Sequence, residues 1–327
     1  MESFSKTLDT YTGSYLIKRR KRRLLWGGCI LVVLVLIGAI FLIAGKSATG
    51  EARKGEKTIA KRAVLSDWQK RDWDKVLADC TSSLEAKSLD PFYLGFAGLS
   101  AYYEASELPD GEEKNGLVDR CIVYLRKTLV VTESGRAGRI PRAEMEYVLS
   151  KAYYAKGASY YDSVVKYMEA SLSDGYLGDD SREYLAVAYA GLGDSAKAVE
   201  NFELALKRHR TDLLLIAAGK AYIDEGKSDR AEALLLEALS KSHDVLAREK
   251  CRFTLAQIYE LRGEMSKAQD QIELVIGENP ESADAHYRLG LIYQKLGDAV
   301  RARAEWRRAV SIDPMHVAAR QKLAEKL

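Results

Sequence analysis

The sequence predicts an all-α chain, a helical repeat superhelix (α-solenoid) with one N-terminal transmembrane helix. Three observations predict it. Residues 24–44 carry no charged side chain. Five glycines, Gly157, Gly193, Gly226, Gly263 and Gly297, stand 36, 33, 37 and 34 residues apart, each inside a similar string of apolar residues at helical spacing. Only five prolines interrupt 327 residues, of which 47% are hydrophobic and 30% charged. That balance belongs to a folded chain and excludes wholesale disorder.

The first element is the apolar run Leu24–Ala44, LLWGGCILVVLVLIGAIFLIA. As a helix it would be about 31 Å long, close to a hydrocarbon core of about 30 Å. It is longer than the apolar part of a cleaved leader, so an uncleaved anchor is expected. Lys18, Arg19, Arg20, Lys21, Arg22 and Arg23 abut it, whereas the downstream flank mixes Lys46, Arg53, Lys54 and Lys57 with Glu51 and Glu56. The stronger basic cluster stays on the cytoplasmic side. Residues 1–23 therefore read as a basic cytoplasmic tail, 24–44 as a transmembrane helix and 45–56 as a juxtamembrane linker. The remainder lies on the outer side of a cytoplasmic (inner) membrane, which in a bacterium is the periplasm. Gly45-Lys46-Ser47 imitates the end of a phosphate-binding loop, but position 40 is Ile rather than Gly, and the tripeptide follows an apolar helix rather than a strand.

The net charge of +3 has to be divided. Residues 1–23 hold seven Lys/Arg and two acids, leaving 43 basic against 45 acidic residues for the rest. A nearly neutral array has no electrostatic reason to seek nucleic acid. Cys29 lies in the apolar run, and Cys80, Cys121 and Cys251 are far apart with no CxxC. Buried free thiols are the simpler reading, and an oxidising compartment would allow one Cys80–Cys121 bridge.

Aligned on their glycines, the repeated strings are LSKAYYAKGASYYDSVVKYMEASL (149–172), LAVAYAGLGDSAKAVENFELALKRHR (185–210), AGKAYIDEGKSDRAEALLLEALSKSH (218–243), LAQIYELRGEMSKAQDQIELVIGENP (255–280) and LGLIYQKLGDAVRARAEWRRAVSIDP (289–314). Each reads as two amphipathic helices joined at a glycine turn. One unit cannot bury its apolar face alone, so the units must stack. Before them, residues 57–142 form a degenerate helical region. Trp73, Val76 and Leu84 suggest one pair, and Gly98, Tyr102 and Tyr103 another, interrupted by the polar stretch Leu108–Gly116. Residues 317–327 read as a capping helix.

These strings resemble the tetratricopeptide repeat (TPR) family. In the last copy Leu289, Gly290, Tyr293, Gly297, Ala302, Trp306, Ala309 and Pro314 fall where the motif expects them, and in the preceding copy so do Leu255, Ala256, Tyr259, Gly263, Ala268, Ile272 and Pro280. Five such repeats cover 143–316. The resemblance implies a groove lined by the first helix of each pair, with the residues between the motif positions facing it. They are Tyr147, Lys151, Tyr154, Tyr184, Lys220, Phe253, Gln257, Tyr287, Arg288, Leu291 and Lys295. Aromatic anchors beside cationic tips suit protein recognition. Packing between repeats is the alternative for Tyr184, Phe253 and Tyr287, and a solvated face for the cations. The carboxylate clamp of chaperone-binding relatives needs Asn, and Asn115, Asn201 and Asn279 all lie off the groove face. Arg136, Arg139 and Arg142 read as a solvated basic loop that could dock an acidic partner.

No catalytic chemistry is indicated. The four histidines, His209, His243, His286 and His316, are dispersed, and no HExxH, GxSxG or paired Cys/His spacing occurs. Asp179-Asp180 falls in a repeat-joining turn, where helix capping explains it. The expectation is a non-enzyme without cofactor, metal or small-molecule substrate, which binds proteins through the groove and the membrane through 24–44. As a membrane-anchored TPR array it is similar to envelope-assembly proteins, among them an ancillary factor of the secretion translocon and the collar proteins of spirochaete periplasmic flagella. A chaperone-like or targeting receptor for client polypeptides is the alternative.

Overall fold

The computed structural model describes residues 51–132 and 136–325. The basic tail 1–23, the apolar run 24–44 and the first residues of the linker lie outside them. Among the described residues no helix is long and apolar enough to cross a membrane. Fifteen α-helices account for most of these residues. They are α1 (Glu51–Lys70), α2 (Trp73–Ala86), α3 (Pro91–Ala105), α4 (Glu112–Val131), α5 (Arg142–Ala155), α6 (Tyr161–Ser173), α7 (Ser181–Leu192), α8 (Ser195–Leu206), α9 (Asp212–Asp224), α10 (Ser228–Lys241), α11 (Val245–Leu261), α12 (Met265–Glu278), α13 (Ala283–Lys295), α14 (Ala299–Ile312) and α15 (Val317–Ala324). From α1 to α6, and again from α8 to α15, each helix packs against the next. The chain divides into two compact units, one ending at Ala188 and one starting at Tyr189.

In the first unit the described part of 57–142, degenerate by motif, is mostly helical. α1 begins at Glu51, inside the segment read as linker. The α1–α2 turn has no glycine. Arg71 takes the left-handed conformation there (φ 62°), and the Asp72 N–H donates to the Asp67 carbonyl. α3 starts cleanly because Pro91 needs no N–H partner at the first position and the Asp90 carboxylate accepts from the Phe92 N–H at 3.0 Å. Phe92–Ala101 of α3 are all buried. Gly98 lets α4 approach, since a Cβ there would sit 2.7 Å from Leu125.

In the segment read as a solvated basic loop Arg139 is exposed, but the backbone forms a hairpin whose small and apolar residues are packed. Arg136–Ala137 and Ile140–Pro141 pair as two short antiparallel strands, β1 and β2, turned by Gly138 at φ 64°. Ala137 and Ile140 are buried, and a Cβ on Gly95 of α3 would come 2.7 Å from that of Ala137. Small residues on both sides thus let the hairpin lie on α3. Arg142 is engaged as well, donating to Glu146 at 2.8 Å and to the Leu129 carbonyl.

In the second unit the turns follow one rule. Gly193, Gly226, Gly263 and Gly297 all have φ between 75° and 83°. In each turn the N–H after the glycine reaches back to the carbonyl of a tyrosine, Tyr189, Tyr222, Tyr259 or Tyr293. This is a Schellman closure, for which glycine is suited because a side chain at positive φ is strained. Asp194, Thr211, Asp244, Ser282 and Asp298 then cap the following helices. The small residue of the first helix has a visible purpose. A Cβ on Gly290 would lie 2.3 Å from Trp306 Nε1, and one on Gly219 would lie 3.0 Å from Leu235. The Trp306 indole is fully buried and donates to the Tyr287 carbonyl at 3.2 Å.

The last helix, α15, lies against α14. His316 starts it, with Nδ1 accepting from the Ala319 N–H at 3.1 Å. Arg303 of α14 donates to the Leu323 and Glu325 carbonyls at its other end. Cys80, Cys121 and Cys251 are free and buried. Burial pushes the Cys80 and Cys251 thiols up to about 12 and the Cys121 thiol up as well, so these are packing residues rather than nucleophiles.

Candidate functional site

First helices touch one another within each unit, α3 against α5 in the first and α9 against α11 in the second. The face they form carries the side chains that the motif register selects.

In the first unit, Lys151 is enclosed rather than presented. Its ammonium lies 2.9 Å from Asp180 Oδ2 and donates to the Tyr147 hydroxyl at 3.2 Å. It also faces the rings of Tyr147 at 5.0 Å, Tyr184 at 5.1 Å and Tyr102 at 5.9 Å. The Tyr147 hydroxyl donates to the other Asp180 oxygen. Both Lys151 and Asp180 side chains are only 10% exposed. Burial by itself disfavours the Lys151 charge. The hydroxyls of Tyr102 and Tyr184, the Asp180 carboxylate and Tyr147 outweigh it and hold the ammonium well above the usual lysine range. Tyr154 and Tyr184 are buried and meet edge to face at 4.7 Å, so they are walls beneath this face. Tyr147 remains half-buried, against Tyr176. Beside it, Glu144 is pushed up by burial and adjoins Tyr103 and Tyr176.

The second unit presents a different surface. Phe253 is half-buried, and the Arg288 guanidinium lies over its ring at 4.6 Å from the centroid. Lys220 of α9 is half-buried and close enough to Lys250 of α11 and Arg288 of α13 to feel both. Its pKa is lowered by burial first, then by those two cations, with Asp224 opposing. Lys250 is lowered by burial too. Tyr287 and Leu291 are half-buried, Tyr287 lying beside His316, while Gln257 is exposed. Lys295 is exposed and paired with Glu260 of α11, which removes it from the cationic group.

Asp180, Tyr102, Tyr176 and Lys250 belong to these surfaces, and the motif register did not select them. Asp180 was expected only to cap a helix. Its role as counter-ion to Lys151 joins two segments 29 residues apart. Lys250 has the same cationic chemistry as Lys220 and stands one turn before Phe253, the available signal. Among the described residues no group of three or more His, Cys, Asp or Glu is placed to hold a metal ion.

Stacked helical hairpins with glycine-closed turns and a side-chain-bearing first-helix face define a helical-repeat binding protein. Two of its repeats are matched by family models: residues 185–211 and 283–316 each match a model of the tetratricopeptide repeat, so the chain carries TPR repeats. Repeats of this family mediate protein–protein interaction. No curated protein sequence matches the chain. Among solved structures, the C-terminal part of a TPR repeat-containing protein from Cytophaga hutchinsonii is 14% identical with a TM-score of 0.56, over 82% of this chain and 100% of that one, a likeness of fold. A MamA structure is 18% identical with a TM-score of 0.45, over 52% of this chain and 96% of that one. A thermophilic TPR protein of Thermus thermophilus is 20% identical with a TM-score of 0.42, over 56% and 97%.

Proposed function

We propose that this chain is a protein-interaction scaffold, anchored in a cytoplasmic membrane by residues 24–44, whose array stands on the outer, periplasmic side and helps assemble or stabilise an envelope complex. The observation that carries the binding half is the first-helix face of the second unit. There Phe253, Tyr287 and Leu291 are half-buried, Gln257 is exposed, and the Arg288 guanidinium lies over the Phe253 ring. Such a mixture of aromatic anchors and charge recognises polypeptide. The anchor half rests on the sequence, namely the uncharged run of residues 24–44 behind the basic cluster 18–23. A collar around a periplasmic flagellum is one assembly that suits an anchored, repeat-only scaffold.

Two measurements test the proposal. A C-terminal alkaline phosphatase fusion should be active, and a fusion to an enzyme that works only in the cytoplasm should be silent; the reverse pattern sinks the topology. Cross-linking in intact cells should recover a partner in stable, stoichiometric complex after mild membrane extraction. Recovery of many unfolded clients would favour a chaperone-like receptor instead.

A further inference from the structure

The exposed apolar side chains of the first unit are divided unevenly between its two ends. At one end α3 and α5 begin and α2, α4 and α6 stop, and contacts tie these segments together. Lys61 of α1 pairs with Asp90 at 3.1 Å. Arg142 donates to the Leu129 carbonyl at 3.4 Å, and the Ser171 hydroxyl donates to the Ala143 carbonyl at 2.7 Å. The β1–β2 hairpin belongs to the same end, since a Cβ on Gly138 would sit 2.7 Å from the Phe92 ring. Leu89, Val130 and Leu177 are 58%, 84% and 46% exposed there. The opposite end is formed by the α1–α2, α3–α4 and α5–α6 turns. Among its described large apolar side chains, Tyr160 is the one exposed to a similar degree, and Val123 lies midway along α4. A single exposed leucine is ordinary, but three apolar side chains bared at one end of one unit form a pattern.

That end is also the one from which the chain leaves toward residues 24–44. From Lys61, α1 runs back about 15 Å to Glu51, and the six residues 45–50 can reach at most about 21 Å. The opposite end stands about 22 Å further off, the length of the 15-residue α3. Charge at the near end is mixed. Arg139 is exposed at the hairpin tip and Lys87 is half-buried, while Asp174 and Asp179 flank Leu177, and Asp90 is paired with Lys61. Both signs together match zwitterionic headgroups better than a polyanion.

We propose that this end of the first unit rests on the bilayer, with Leu89, Val130 and Leu177 in the headgroup region of zwitterionic lipid and Arg139 beside its phosphates. The contact depends on the anchor proposed above. Inclination of α1 brings the end down onto the headgroups. Apolar side chains gain burial at that boundary, and the anchor makes the encounter intramolecular, so three side chains suffice where a free protein would need more.

The test places the photoreactive residue p-benzoylphenylalanine singly at Leu89, Val130, Leu177 or Tyr160 of the full chain in phosphatidylcholine nanodiscs. After irradiation, mass spectrometry counts lipid adducts. Yields at Leu89, Val130 and Leu177 should exceed the yield at Tyr160 about tenfold or more, as residence at the headgroups rather than in water implies. Three independent positions keep the result readable if thermal unfolding shows that one substituted chain does not fold. A yield at Tyr160 equal to the others overturns the proposal, as does cross-linking to a second copy of the chain in place of lipid. If the chain stays in the nanodiscs but the three positions give no lipid adduct, the contact falls and the anchor stands. If the chain separates from the nanodiscs, the anchor itself falls, and the contact with it.

Discussion

The Lys151 ammonium and the Asp180 carboxylate meet at 2.9 Å inside a ring of tyrosines, and each side chain is 10% exposed. Removing one partner leaves the other charge buried without this counter-ion, a loss that typically costs about 3–5 kcal/mol. Lys151→Met and Asp180→Asn should each lose stability on that scale. The double variant should recover most of the loss, because a desolvated pair is worth little net. Urea unfolding of the four proteins as a double-mutant cycle checks this. Additive losses would mean that the pair is not coupled.

Gly290 and Trp306 give a second expectation. Trp306 is fully buried, and a Cβ on Gly290 would overlap its indole nitrogen at 2.3 Å. Gly290→Ala should therefore destabilise the array by about 2–3 kcal/mol through overpacking. Gly277, exposed on α12 with nothing within 4 Å of an added Cβ, should behave oppositely. Gly277→Ala should stabilise by about 0.5 kcal/mol through helix propensity. Thermal unfolding of both variants should show opposite signs; the same sign would refute the packing explanation for Gly290.

The contrast between those positions explains what was legible in the sequence. Gly290 and Trp306 were readable because motif spacing fixes which helix faces meet. The glycine turns were readable because left-handed backbone selects glycine. Asp180 was not, since periodicity shows which side chains share a face and cannot show which turn closes over them. The hairpin on α3 was hidden for a similar reason. Arg136, Arg139 and Arg142 give it the composition of a loop, while its packing depends on Ala137, Gly138 and Gly95. Lys151 and Lys220 looked alike in sequence, and only their surroundings separate the ion pair enclosed with Asp180 from a half-buried lysine whose charge burial disfavours.

Arg71 marks the turn that glycine spacing could not find. It has φ 62° at the position that Gly193, Gly226, Gly263 and Gly297 hold in later turns. A side chain in this region costs about 1 kcal/mol or more, partly offset by the greater unfolded-state freedom of glycine. Arg71→Gly should stabilise the chain by about 0.5–1 kcal/mol. Arg71→Val, β-branched, should destabilise it. Denaturant midpoints for the two variants read this out, and a destabilised Arg71→Gly would assign the arginine side chain a role of its own.

The Arg210–Glu237–Lys241 cluster sets an acid limit that can be worked out with its sign. Arg210 Nε and Lys241 Nζ donate to Glu237 Oε1 at 2.8 and 2.7 Å. Arg210 first, then Lys241, holds the carboxyl down at about 2, against an ordinary 4.5. A folded-state pKa below the unfolded one stabilises the fold above the unfolded value, and that stability is lost as pH falls through the folded value. The window therefore runs from about 4.5 down to about 2. Arg210 is 38% and Glu237 29% exposed, so solvent screening reduces the contribution to about 0.5–1 kcal/mol. Glu237→Gln should be less stable than the natural chain by that amount near neutral pH. The two should converge as pH approaches about 2. Urea unfolding across this range decides it, because a difference that persists at low pH would trace the loss to packing rather than charge.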